Sequence, residues 1–528
     1  MFTGISGLPG FLNFNFMQLS KETVVQSGLS NLSVPDSSIY ELPEKILQFG
    51  SGVLLRGLID YFIDKANKEG NFNGRIVVVH SIEKDRPVEH EKQDYLYTHC
   101  LRGIQDGKVY EEYVANASIS RVLLALYEWD KVLECAADPG IEIVFSNTTE
   151  VGIVMHADDN ISAFPPASFP GKMLALLYKR FKTFNGDPAK GWTIVPAELI
   201  ADNGSKLQSI IIELAHLNKM EYEFIDWVEN SCRFCNTLVD RIVPGKLPPA
   251  EQANVEEKLG YTDGMMIMSE VYSLWAIETS DASVKDILSF AKSNPGVIIT
   301  DNINKYRELK LRLLNGTHTF VCGLAYLAGF ETVKDAMKDK VFNKFVYELM
   351  ANEISPCIIG DQITNEQALA FSKSVIERFE NPFIDHKWLS ITLNYTYKMK
   401  ARNLFLLLEY FKRNTQVPEH MALSFAAYLL FNRCQPAADK GFEGTGPKGE
   451  KYSLQDDEAS YFHQLWQNEK PEQIAMNVLA NQTLWDNDLS ALPGFYDAVV
   501  YYLNQFLEHG VANTLKQFKE PKKEGVIL

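Results

Sequence analysis

The run Lys310-Leu-Arg-Leu-Leu-Asn-Gly-Thr-His318 sets a lysine, an asparagine and a histidine at a spacing that could serve one small molecule. The surrounding segment, Asn304 to Phe330, has a helical apolar rhythm in Leu309, Leu313, Leu314, Phe320 and Leu324. At about 100° per residue, Asn315 lies roughly 140° and His318 roughly 80° around the axis from Lys310, so the three share one broad face. Their backbones climb about 12 Å, but a lysine is long and helical side chains lean toward the N-terminus, so the heads can converge. Gly316 weakens the helix and marks a close approach of backbone or ligand. A half-buried lysine loses proton affinity and can act as a base near neutral pH. Asn315 can donate to a carbonyl oxygen, and His318 can donate or accept. The set suits the reversible oxidation of a secondary alcohol. Spacing alone favours a blander account: a surface lysine, a capping asparagine and a satisfied histidine.

Such chemistry needs a redox cofactor, and the elements to hold one come earlier. Glu44–Phe49 reads as a strand running into Gly50-Ser51-Gly52-Val-Leu-Leu55-Arg56-Gly57, then a helix from Leu58, then the β-branched strand Arg75–His80. That is a βαβ unit with phosphate-binding glycines at its first turn. Phe49, Gly50, Ser51, Gly52, Leu55, Arg56 and Gly57 are therefore the candidate cofactor residues, with Arg56 an added phosphate contact. Leu55 stands where the usual third glycine would fall. The acid expected after the second strand is Glu83 or Asp85, each slightly late, so this segment does not choose NAD over NADP. A further strand, Ile141–Phe145, ends in Ser146-Asn147-Thr-Thr-Glu150, polar residues at the ligand end of such a sheet. Trp192–Val195 is another strand, followed by Asn203-Gly204 and an amphipathic helix; Asp240-Arg241 sits near an apparent turn.

After about residue 300 nearly every segment reads as helix, from 304–328 to 494–519, with Gly441–Gly449 an exposed loop. The expected architecture is a doubly wound α/β Rossmann-like domain over 41–300, after an irregular extension over 1–40, and a mainly α-helical domain over 301–528. Lys398 and Arg402 are four apart on one helix face, where they could bind a substrate carboxylate.

Composition narrows the partners. A net charge of −17 argues against nucleic acid and requires a local basic pocket for any anionic substrate. No apolar run reaches the roughly 18 residues of a membrane span, and the N-terminus lacks the pattern of a secretory signal. Seven cysteines are scattered, with only Cys232-Arg-Phe-Cys235 at motif spacing and no histidine to complete a zinc site. They read as free thiols of a cytoplasmic protein.

The order of these motifs, closing on Lys-x-x-x-x-Asn-x-x-His, resembles the mannitol dehydrogenase family of polyol-specific long-chain dehydrogenases. Phe49-Gly-Ser-Gly52 with Leu55-Arg56-Gly57, Ser146–Glu150, Pro196-Ala-Glu-Leu-Ile200 with Asn203-Gly204, and Asn381-Pro-Phe-Ile384 resemble its hexuronate-reducing branch. The resemblance implies a metal-independent, NAD-linked reductase acting reversibly on a hexuronate such as tagaturonate. Lys310 would be the general acid/base, Asn315 and His318 would hold the reacting oxygen, and Lys398 and Arg402 would hold the carboxylate. Asp240 joins the implied substrate residues. Family members carry a second oxyanion-binding asparagine where Leu199 stands here; Asn203 is the candidate to replace it. A Schiff-base lyase built on Lys310 and a nucleotide-binding module without turnover are the alternatives from other classes.

Overall fold

The computed structural model describes residues 17–81, 88–148, 152–438 and 441–518. Glu83, Asp85, Glu150 and the first sixteen residues lie outside that set. The chain divides into two units: Met1–Arg102 with Tyr110–Asp301, and Gly103–Val109 with Asn302–Leu528.

The first unit is built on a six-stranded sheet whose neighbours all run parallel. Its strands in chain order are β1 (Glu44–Phe49), β2 (Arg75–His80), β3 (Ile119–Leu124), β4 (Ile143–Ser146), β5 (Thr193–Pro196) and β6 (Arg233–Phe234). Across the sheet they lie β3-β2-β1-β4-β5-β6, the order of doubly wound dinucleotide-binding folds. Phe49 pairs with Val79 of β2 on one side and with Ser146 of β4 on the other. The winding direction therefore reverses at the carboxyl ends of β1 and β4. Alternate residues feed two cores. Leu47, Phe49, Val77 and Val79 pack with Trp129, Leu177 and Ile211 on one face; Ile46, Val78, Ile143 and Phe145 pack with Phe62, Trp275 and Phe290 on the other. Burial on both faces is why Ile76–Val79 and Ile143–Phe145 are continuous apolar runs.

Two smaller sheets were not expected. Tyr97–Gln105 and Lys108–Asn116 are neighbours in a four-stranded sheet, joined by Asp106-Gly107 with φ of 52° and 72°. Asn236–Asp240, Leu274–Glu278 and Val297–Thr300 form a three-stranded sheet.

The second unit has one continuous core. At its centre the helix Thr317–Leu327 is buried at every position, and it packs against Glu419–Phe431, which is nearly so. A helix apolar on all sides belongs inside. Among the described residues three π turns interrupt the helices: Lys310–Gly316, Leu349–Ile354 and Met399–Asn403. Helices expected as single runs break for local reasons. Asn394 turns left-handed (φ 49°) before Tyr395–Lys398, Asp339 caps Lys340–Glu348 with its side chain, and Gly510 has φ 79°. The segment expected as a glycine loop instead holds a strand, Phe442–Thr445, in an antiparallel sheet with Cys434–Pro436 and Lys451–Leu454. Gly444 is its pivot, because a Cβ there would collide with the Tyr452 ring.

All seven cysteines are free and buried. Among the described residues no helix is long and apolar enough to cross a membrane.

Candidate active site

At the reversal point of the first unit, Gly50 takes φ +111°, and a Cβ there would stand 3.0 Å from Leu55 Cδ1 and 3.2 Å from Asn147 O. Only glycine suits that conformation and that space. Its N–H donates to Val79 O at 3.0 Å, and Asn147 N donates to Phe49 O at 3.2 Å, so β1, β2 and β4 are clamped together at this end. Ser51 is half-buried, and at Gly52 nothing lies within 4 Å of where a Cβ would stand. The turn is thus a tight, open cradle at the place where dinucleotides bind in such sheets. Ser146 Oγ and the Thr148 N–H both donate to the buried Glu198 carboxylate, and Asn147 Nδ2 donates to Ala197 O at 2.7 Å. Beneath the turn Asp60 is fully buried, with no hydrogen-bond partner for either carboxyl oxygen among the described residues. Burial pushes its pKa up to about 7, against the pull of Gln48 and Arg56.

In the second unit Lys310 and Asn315 lie on a π turn and His318 on the α-helix that follows, rather than all three on one uninterrupted α-helix. The i→i+5 bonding of such a turn brings residues five apart nearly into line, so Lys310 and Asn315 stand closer around the axis than α-helical spacing implied. Both are half-buried. Gly316 keeps helical dihedrals; its lack of a side chain admits Asn403, whose Oδ1 would lie 3.2 Å from a Cβ there.

His318 opens the buried helix. Its ring stacks on Phe379 at 4.1 Å and 11°, with the edges of His386 at 5.3 Å and Trp388 at 6.0 Å. Nε2 is buried and has no hydrogen-bond partner among the described residues. Burial first, then His386, Arg378 and Arg402, hold its pKa well below the ordinary value, so the imidazole is neutral near pH 7. Lys398 and Arg402 belong to the same neighbourhood. Lys398 Nζ donates to Ile391 O at 3.0 Å, and Arg402 Nη1 donates to Thr319 Oγ1 at 3.1 Å. Burial and then Arg402 lower the Lys398 pKa, and burial and then Lys398 lower that of His386. Neither Lys398 nor Arg402 has a carboxylate partner among the described residues. A cationic cluster without a counter-ion is costly unless an anion visits it.

Two family models match the chain, the mannitol dehydrogenase Rossmann domain over residues 44–288 and the mannitol dehydrogenase C-terminal domain over residues 302–507. The chain belongs to the mannitol dehydrogenase family. Relatives in that family include the altronate oxidoreductase of Bacillus subtilis (strain 168), 37% identical over 90% of this chain and 96% of its own. That of Escherichia coli O7:K1 is 35% identical over 90% of this chain and 97% of its own. Among solved structures, Pseudomonas fluorescens mannitol 2-dehydrogenase in ternary complex with NAD and D-mannitol aligns with a TM-score of 0.66 at 23% identity, over 95% of this chain and 99% of that one. A D-sorbitol dehydrogenase in substrate-free form aligns with a TM-score of 0.76 at 20% identity, over 94% and 100%. These share the fold.

Several residues expected in the family's site have other duties. Asn203 is fully buried, and its amide is spent: Nδ2 donates to Pro196 O, Glu198 O and Thr237 Oγ1, while Oδ1 accepts from the Gly204 and Thr237 N–H groups. It brackets the end of β5 and has no donor left for an oxyanion. Leu199, at the departing position, is 62% exposed. Arg56, expected on phosphate, is buried with Nη1 on Met265 O at 2.6 Å and its guanidinium over the Tyr97 ring. Gly57 makes room for Val243. Asp240 ends a strand opposite Leu274, buried rather than in a turn. Sequence reasoning missed His386, Arg378, Phe379 and Thr319 around His318. Only Thr319, one residue past the signature, carried any signal.

Proposed function

We propose that this chain reduces tagaturonate to altronate with NADH, reversibly; its relatives named altronate oxidoreductase support the reading. Gly50, Ser51 and Gly52, with Phe49, Leu55 and Asn147 around them, hold the dinucleotide; the open, positive-φ turn at the sheet's reversal point fits a pyrophosphate. Bound NADH supplies the hydride. Lys310, as an ammonium, donates a proton to the developing alkoxide. Asn315 donates to that oxygen, and neutral His318 turns Nε2 toward it, together acting as an oxyanion hole does. In the reverse direction Lys310 takes the hydroxyl proton of altronate. Lys398 and Arg402 hold the carboxylate.

The observation that carries the acidic substrate is the cluster of Lys398 and Arg402 beside His386 and His318, with no carboxylate partner among the described residues of a chain whose net charge is −17. A neutral polyol would leave that charge uncompensated.

The test is loss of NADH absorbance with tagaturonate, with fructuronate and fructose run alongside. Turnover of tagaturonate far above both others is expected. Equal turnover of fructose would remove the carboxylate clamp, and no turnover of any of the three despite NADH binding would remove the reading.

A further inference from the structure

Two of the π turns are laced together by a reciprocal pair of arginines. Arg312, from Lys310–Gly316, donates through Nη1 to Arg402 O at 2.7 Å. It is steadied by Glu308 at 3.0 Å and by the Phe405 ring. Arg402, from Met399–Asn403, returns the bond from its side chain. Its Nη1 donates to Thr319 Oγ1 at 3.1 Å, and Thr319 Oγ1 donates to Asn315 O at 2.8 Å. The direction of this relay is fixed by chemistry. A guanidinium only donates and a carbonyl only accepts, so the hydroxyl must accept a hydrogen bond from Arg402 and donate one to Asn315 O. Thr319 is fully buried, which keeps its hydroxyl out of bulk water. Hydrogen bonds in such a chain polarise one another, and one that begins at a cation is stronger than a neutral pair.

We propose that Thr319 is a positioning residue that couples the anion-binding Arg402 to the oxyanion donor Asn315, so that the substrate's carboxylate contributes to turnover as well as to binding. The inference rests on the functional reading above. A carboxylate on Arg402 and Lys398 relieves their mutual repulsion and orders the guanidinium. The ordered guanidinium fixes the Thr319 hydroxyl, and that hydroxyl holds the main chain of the π turn on which Asn315 is mounted. A sugar without a carboxylate leaves the relay slack, and its turnover suffers beyond the loss of the contact itself. Energy from a remote part of the substrate is thereby spent at the reacting oxygen.

Thr319→Val keeps the shape and removes the hydroxyl; Thr319→Ser keeps the hydroxyl and removes a methyl. The experiment measures kcat and KM for tagaturonate, NADH affinity and thermal midpoint for the wild type and both variants. For Thr319→Val, kcat should fall about tenfold while KM moves less than about threefold; Thr319→Ser should return kcat to within about twofold of the wild type. A Thr319→Val enzyme with wild-type kcat would overturn the proposal. So would a change confined to KM, or equal losses in both variants that track the thermal midpoint. A wild-type enzyme that leaves tagaturonate unreduced would instead strike the functional reading, and this coupling with it.

Discussion

Asp60→Asn isolates the cost of burying an acid beneath the cofactor turn. Asp60 is fully buried and its pKa stands at about 7, against an ordinary 3.8. The sign follows from proton counting. Between those two values the folded state keeps a proton that the unfolded state has lost, so stability falls as pH rises through the window and levels off above about pH 7. From pH 5 to pH 8 the wild type crosses about two units of that window, worth roughly 3 kcal/mol at 1.36 kcal/mol per unit. Asparagine does not titrate, so whatever its amide costs in packing is the same at both pH values and cancels in the comparison. For a unit of this size 1 kcal/mol moves the midpoint by about 2 °C. The midpoint of Asp60→Asn minus that of the wild type should therefore be roughly 5 °C larger at pH 8 than at pH 5. Scanning calorimetry of both proteins at the two pH values reads this directly. Parallel pH profiles would show that Asp60 is ionised throughout, and the burial argument would fall.

Lys310→Ala should lower kcat by about 10²- to 10⁴-fold, the usual worth of a positioned acid or base, while NADH titration by fluorescence stays near wild type; loss of NADH affinity instead would move Lys310 out of the chemistry. Lys398→Ala should raise KM for tagaturonate about tenfold, the scale of one charge-assisted bond, with little effect on fructose; an equal effect on both sugars would detach it from the carboxylate. Asn203→Ala takes the acceptor Oδ1 from the Gly204 and Thr237 N–H groups, at about 1–3 kcal/mol for each group left unsatisfied. Its thermal midpoint should drop sharply while kcat/KM per folded molecule holds; a selective loss of kcat would restore Asn203 as an oxyanion donor.

What the amino-acid order made plain was whatever rests on local pattern. β1 and β2 were readable residue for residue because their apolar stretches are bounded by turn residues, Gly50 after β1 and Asn73-Gly74 before β2. Lys310, Asn315 and His318 stood out through residue type and interval. Their π turn did not; its Gly316 lies against Asn403 and Leu406, from a segment some 90 residues on that no local pattern brings near. The same distance hid His386, Arg378 and Phe379, whose roles exist only once they surround His318. Asn203 misled for the opposite reason: an asparagine beside a glycine near a site looks available until its five partners are counted. The Asp106-Gly107 hairpin turn was legible, since such a pair between extended runs is a strong local signal, and went unread.

The burial of Thr317–Leu327 on every side bears on how such an enzyme can change. Changes of side-chain volume at the apolar positions of that helix disturb a packed core and cost stability. Lys398 and His386 lie instead on short or irregular pieces, Tyr395–Lys398 after a left-handed break at Asn394 and the stretch just before Trp388–Ile391. Such pieces absorb replacement at little cost to the core. On the function proposed above, the proton-transfer residues and Arg402 sit in a part that resists drift, and Lys398 and His386 in a part freer to vary. A lineage built this way can acquire new substrates without reinventing its reaction.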